Sequence, residues 1–191
     1  MAALSALLAE LQSGDPSRAE QAANALAAHG NLALQELVHL VRTSDANLRW
    51  WVVRAFSEFS QEQAGELLVT SLSDPDLAVR QCAALGLSKR PQTAAIRPLL
   101  GLLGSPDSLL ARLSANALVS LGSQAVPGLL EILEQESPQA KAEAVRALAL
   151  IGDTRAIPTL FKNIESDSAL VEHWASAGLA KMGVGMNFFE T

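Results

Sequence analysis

Cysteine is almost absent from this chain. Cys82 is the only one in 191 residues, which excludes an internal disulfide and a Cys-rich zinc site. It sits among small apolar residues, so the sequence places it in packing rather than in nucleophilic chemistry. Tyrosine is missing, and aromatic residues make up only 4%. Lys and Arg number 14 against 20 Asp and Glu, giving a net charge of −6 and a pI near 5.0. That balance argues against general nucleic-acid binding, and no Lys/Arg cluster marks a basic groove. It also argues against a helical DNA-repair glycosylase. No run approaches the ~18–20 apolar residues of a membrane span. No basic residue precedes the first apolar stretch, unlike a secretory signal. The expected location is cytoplasmic.

What the chain does have is 49% apolar residues, rich in Ala and Leu, laid out with a period. Leu4, Leu7, Leu8 and Leu11 stand at offsets 0, 3, 4 and 7, one face of a helix. The pattern returns from Leu34, Ala64, Ile96, Val126 and Ile157, so its starts are almost evenly spaced. A second series has the same period: Ala25-Leu26, Ala55-Phe56, Gly86-Leu87, Ala117-Leu118, Ala147-Leu148 and Gly178-Leu179. Ten residues before each small residue stands Asp15, Asp45, Asp76, Asp107, Ser137 or Ser168, all good N-cap residues. Five residues after it comes Gly30, Ser60, Pro91, Gly122, Gly152 or Gly183, suited to ending a helix. Cap, small–large pair and terminator therefore keep one phase through six copies.

Two helices per ~31 residues is the signature of stacked helical repeats. The reading is all-α: a right-handed α-solenoid of about six helix pairs, about twelve helices. It occupies 1–191 as a single repeat domain, with unit starts near 4, 34, 64, 96, 126 and 157. The least regular stretch is Ser88-Lys-Arg-Pro-Gln-Thr93, where a local kink is expected. In the tail at 184–191, Met186, Phe188 and Phe189 suggest a cap or a dimer contact.

Asp74-Pro-Asp-Leu-Ala-Val-Arg-Gln-Cys-Ala-Ala-Leu-Gly-Leu87 resembles the HEAT-like repeat first described in phycobilin lyases. Ala147-Leu-Ala-Leu-Ile-Gly-Asp153 with Ala156-Ile-Pro-Thr-Leu160 is similar to the same repeat. So is Leu118-Val-Ser-Leu-Gly122 with Ala125-Val-Pro-Gly-Leu129. The resemblance covers nearly the whole chain and implies fold more than function. In such repeats the Val-Arg arginine commonly joins the Asp of a turn. Here it is kept at Arg80 and Arg49, and replaced by Ala19, Ala111, Lys141 and Glu172 elsewhere.

Two candidate surfaces emerge. The first is Arg49, Trp50, Trp51 and Arg54. Trp50 stands where other copies mostly have polar residues, so it falls at the edge of the buried stripe or outside it. These tryptophans either pack between repeats or form an exposed aromatic anchor flanked by arginine, a pairing favoured at binding hot spots. The second surface is the outward side of the 0-3-4-7 helices: His39, Leu40, Leu102, Glu131, Ile132 and Lys162. There Leu40, Leu102 and Ile132 either pack between helices or floor a groove for a partner.

No metal or cofactor is implied. His29, His39 and His173 are too scattered for a ligand set, and no phosphate loop or Ser/His/Asp arrangement is visible. Glu62 and Glu66, four apart, are read as solvated surface. The expectation is a non-enzymatic scaffold that binds another protein, with a partner subunit or a homodimer through the C-terminal tail. The alternative implied by the resemblance is a phycobilin lyase-like subunit that handles a tetrapyrrole or its acceptor protein.

Overall fold

The computed structural model describes residues 2–134 and 137–184. The tail residues Met186, Phe188 and Phe189 lie outside the described residues. Among those described, twelve α-helices and four short 3-10 turns account for the secondary structure, with no strand. The fold is all-α and repeated. The helices are α1 (Ala2–Leu11), α2 (Pro16–Leu26), α3 (Gly30–Leu40), α4 (Ala46–Phe56), α5 (Glu62–Ser71) and α6 (Leu77–Lys89). They continue as α7 (Ile96–Leu102), α8 (Ser108–Leu121), α9 (Val126–Ile132), α10 (Pro138–Ile151), α11 (Ile157–Lys162) and α12 (Ala169–Lys181).

The chain divides into two compact units, Met1–Ala94 and Ala95–Thr191. The division falls just after the irregular stretch at 88–93. There α6 stops at Lys89 and Arg90 leaves helical space at φ −126°, ψ 76°. Within each unit an odd-numbered helix packs on the even-numbered helix that follows it. The even helices also pack directly on one another, α2 on α4 on α6 in the first unit and α8 on α10 on α12 in the second.

All six anticipated cap residues stand at helix N-termini. Asp15, Asp45, Asp76, Asp107 and Ser137 each accept a backbone N–H of the first turn, as at Asp76 from Ala78 and Val79. Ser168 holds the cap position of α12 without a side-chain bond. Each cap satisfies amides that a helix start otherwise leaves orphaned. At the other end of α10, Gly152 takes the left-handed conformation, φ 72° and ψ 30°, and its N–H reaches the Leu148 carbonyl.

The core is made largely of Ala, Leu and Val, with Phe56 and Phe59 its largest fully buried side chains. Small residues are needed where the even helices touch. A Cβ on Gly178 of α12 would come within 2.9 Å of the Ala149 backbone on α10.

Candidate functional site

The two even-helix rows form the faces with the most chemistry. These six helices hold nine of the chain's 14 Lys and Arg residues, but only Glu20, Glu143 and Glu172 of its 20 acids. The acidity of the chain therefore resides in loops and odd helices. Taken together its second helices are cationic, although α2 and α12 each carry one charge of either sign.

In the first unit, Trp50 and Trp51 sit half-buried on α4. Their rings cross edge to face at 86°, with centroids 4.7 Å apart. An open cavity of about 420 Å³ adjoins them, lined also by Ala46, Asn47, Asp76 and Ala78. Neither tryptophan is sealed in the core, so both offer ring surface to a ligand or partner.

Their neighbouring arginines are occupied. Arg49 is 9% exposed. It donates to both Asp74 carboxylate oxygens, Nε to Oδ2 at 2.8 Å and Nη2 to Oδ1 at 2.9 Å. Its third nitrogen, Nη1, donates to the Thr43 and Ser44 carbonyls. This closes the α4 entry onto the loop before α6, so Arg49 is a structural clamp rather than a ligand-binding residue. Arg54 is spent as well. It donates to Glu20 at 2.5 Å, Asn24 at 3.0 Å, Glu58 at 2.5 Å and Ser57 at 3.0 Å. Lys89 approaches Glu58 at 3.6 Å. The two cations and two carboxylates cancel.

A related network crosses the second unit, and the sequence reading passed over it. Arg112 on α8 donates from Nε to both oxygens of Glu143 on α10, at 2.8 and 3.0 Å. Arg146 on α10 donates to the same carboxylate at 3.1 Å and to Asn116 Oδ1 on α8 at 2.5 Å. Its guanidinium lies 5.9 Å from the ring centroid of Trp174 on α12, within cation–π range. His173 meets Trp174 edge to face at 5.4 Å. The Asn24–Arg54 and Asn116–Arg146 pairs occupy the same phase, each spanning one repeat.

The second predicted surface divides. His39, Glu131 and Lys162 are exposed on α3, α9 and α11, and Leu40 and Leu102 are half-buried. Ile132 is only 5% exposed and cannot floor a groove. It closes α9, which packs against α7, α10 and the 3-10 turn at 154–156. Surrounded on these sides, α9 buries a position that a two-sided helix would leave open. Among the described residues no group of three or more His, Cys, Asp or Glu converges to hold a metal ion. No described helix is long and apolar enough to cross a membrane.

Cys82 is buried on α6, with its thiol 3.8 Å from the Trp50 carbonyl. Burial pushes its pKa up to about 12, so the reactive thiolate is suppressed at neutral pH. A thiol reagent is expected to modify native protein at least tenfold more slowly than urea-unfolded protein. Equal rates would place Cys82 at the surface.

Stacked helix pairs, caps in register and small residues at the helix contacts define a HEAT-type repeat protein. The chain matches the HEAT repeat family over residues 4–81 and 126–185, more than half its length, and belongs to that family. It is similar to the phycocyanobilin lyase subunit beta of Pseudanabaena tenuis, 46% identical over 70 residues, covering 36% of this chain and 25% of that protein. It is also similar to the phycocyanobilin lyase subunit beta of Nostoc sp., 34% identical over 109 residues, covering 56% of this chain and 54% of that one. The chain thus spans from a quarter to about half the length of these relatives. The solved complex of CpcE and CpcF of phycocyanin lyase from Nostoc sp. shares the fold. Its TM-score is 0.56 at 21% identity, over 94% of this chain and 77% of that one.

Proposed function

We propose that this protein is a phycobilin lyase-type subunit. In this reading it holds an open-chain tetrapyrrole against the Trp50–Trp51 pair of α4 and works with a partner protein that carries or accepts the chromophore. The Trp50–Trp51 pair beside its open cavity carries the reading. Conjugated rings stack on indole faces, and paired aromatic surface left half-exposed is uncommon unless something covers it. The lyase subunits to which the chain is similar supply the ligand class.

With its only cysteine buried and the thiol pKa pushed up to about 12, the chain offers no ready thiolate of its own. It holds the pigment non-covalently, and any thiol that receives it belongs to the partner. Scaffolding of a partner protein alone is the coarser form of the same proposal, since a repeat stack is suited to presenting surface.

The test is a titration with phycocyanobilin, followed by absorbance and tryptophan fluorescence. A red shift with quenching is expected. The Trp50→Ala/Trp51→Ala double variant should weaken binding about tenfold or more, since stacking on each ring contributes on the order of 1 kcal/mol. Unchanged spectra, alone and with a lyase partner subunit added, would reject the tetrapyrrole reading and leave the scaffold.

A further inference from the structure

Within each unit an even helix meets the one before it at a fixed pair of positions. A Cβ on Gly178 of α12 would meet Ala149 of α10 at 2.8 Å, and one on Gly86 of α6 would meet Ser57, at the C-cap of α4, at 3.4 Å. Gly178 and Gly86 are the small residues of their copies. Ala149 and Ser57 each stand two residues past the small residue of the copy before. One member of each series is open. Ala25 on α2 is exposed, whereas Ala55, Gly86, Ala117, Ala147 and Gly178 are all buried. Ala180 on α12 is exposed, whereas Ala27, Ser57, Ser88, Val119 and Ala149 are buried or half-buried. The first pair of helices therefore shows the face that elsewhere lies against a preceding pair. The last described pair shows the face that elsewhere receives a following one.

We propose that these two faces belong together: α11 and α12 of one copy of this chain stack against α1 and α2 of a second copy. Ala25 of the second copy then lies on Ala180 as Gly178 lies on Ala149. Each face is complete within one unit. The even helices fit because both faces are shallow. Ser17, Gln21, Ala25 and Ala28 are exposed along α2. Opposite them α12 borders an open cavity of about 550 Å³ lined by Ala169, Glu172, His173, Ser176, Ala177 and Ala180. The odd helices fit by the same register. Phe161 on α11 is 45% exposed. Its counterpart on α7, Leu100, occupies the space that a Cβ on Gly128 of α9 would need. The counterpart of Gly128 on α1 is Ala6, which is small and exposed, and Phe161 of the other copy comes to rest there.

Composition and charge point the same way. A repeat protein that stays single needs polar outer faces on its terminal repeats. The exposed residues of α1 are Ala2, Ala3, Ser5, Ala6 and Ala9, of which only Ser5 is polar. In the first turns of the two even helices the faces carry opposite charges, Arg18 on α2 and Glu172 on α12. Arg18 holds Glu10 through Nε and Nη2, which leaves Nη1 unengaged among the described residues. The joint uses unlike faces, so each copy keeps one face of each kind for a further copy.

Sedimentation equilibrium of the full chain across the micromolar range provides the test. The wild-type mass should climb with concentration above the 20.1 kDa of one chain and pass that of two copies. Ala25→Arg and Ala180→Arg should each weaken association about tenfold or more, since a guanidinium cannot enter a contact built for a methyl group. Both alanines are exposed, so both variants should melt as the wild type does. Mixed in equal amounts, the two variants should pair and stop at two copies. Ala25→Arg retains an intact α12 face, and Ala180→Arg an intact α1–α2 face. A wild type that stays single throughout would overturn the inference. So would variants that keep the wild-type mass, which would put self-association elsewhere, or a mixture that fails to pair, which would mark a joint between like faces. If the wild type stays single and Ala180→Arg instead loses an added lyase partner subunit, the α12 face belongs to that subunit and the inference falls.

Discussion

Arg49→Ala is expected to lower the unfolding free energy by about 3 kcal/mol while leaving tetrapyrrole affinity within twofold. The size follows from what the substitution strands. The Asp74 carboxylate is only 11% exposed, and Arg49 provides its two side-chain hydrogen bonds. Breaking a largely buried ion pair by removing one partner costs about 3–5 kcal/mol, because the remaining charge stays desolvated. Some exposure lets water in, which favours the lower end. The backbone N–H of Asp76 still donates to Asp74 Oδ1 at 2.8 Å, but the Thr43 and Ser44 carbonyls lose their shared donor. Urea midpoints would read the loss. A change under about 1 kcal/mol would mean that the clamp is a surface decoration.

The same pair predicts an acid dependence whose sign is fixed. Hydrogen bonds from Arg49 hold the Asp74 carboxyl below its ordinary value, against an opposing effect of burial. Its folded pKa is therefore lower than the unfolded value of about 3.9. A depressed carboxylate contributes stability in full well above the unfolded pKa. It loses that contribution as pH falls through about 3.9 toward the folded value. The gap between wild type and Arg49→Ala should be widest near pH 7 and narrow by pH 3. A gap that stayed constant would assign the loss to packing alone.

Arg49 also shows where reading the sequence stops. Its phase, one of two copies of the Val-Arg motif, is visible in the chain, and so is the turn aspartate at Asp74. Whether the guanidinium faces that turn or the solvent depends on how tightly α4 and α6 pack, and no local pattern carries that. The caps, and the glycine terminators Gly122 and Gly152, were legible because they are local: an N-cap contacts amides two or three residues away. The cationic second helices were not, because their charges recur once per repeat and never cluster along the chain. A signal existed all the same. Asn24 and Arg54 stand at one phase in successive copies, as do Asn116 and Arg146. Arg112 and Glu143 stand at adjoining phases in successive copies. Residues a repeat apart on neighbouring helices are in reach of each other, just as i and i+4 are within a helix. Comparing copies for complementary pairs would have found the Arg112 network. Comparing them for exceptions found Trp50 instead.

Gly178→Val should lower the stability of the second unit by about 3 kcal/mol. The position belongs to the small–large series, whose meaning is steric. On α12 the Gly178 backbone lies against α10, where an added Cβ would meet Ala149 Cβ at 2.8 Å and its backbone Cα at 2.9 Å. Leu160 Cδ1 stands at 3.0 Å on the third side. A backbone atom cannot rotate away, so even alanine must push α12 off α10. Overpacking of this kind costs about 1–3 kcal/mol, and Gly→Ala in a helix returns up to about 1 kcal/mol through propensity. Gly178→Ala should therefore destabilise by about 1 kcal/mol net, and valine adds two methyl groups with no space to enter. Gly86 is the contrast. Its nearest neighbours are the Leu68 methyls at 3.0 and 3.4 Å, the far end of a flexible side chain, with Ser57 Cβ also at 3.4 Å. Leucine can change rotamer, so Gly86→Ala should lie within about 0.5 kcal/mol of wild type. Calorimetric melts of the three variants provide the check. If Gly86→Ala and Gly178→Ala melt alike, helix spacing in this repeat is not set by the small residue. Because α12 also carries Trp174, forcing it away from α10 should pull the ring from the Arg146 guanidinium and blue- or red-shift tryptophan emission along with the loss of stability. The Arg49 variant, by contrast, should lose stability alone.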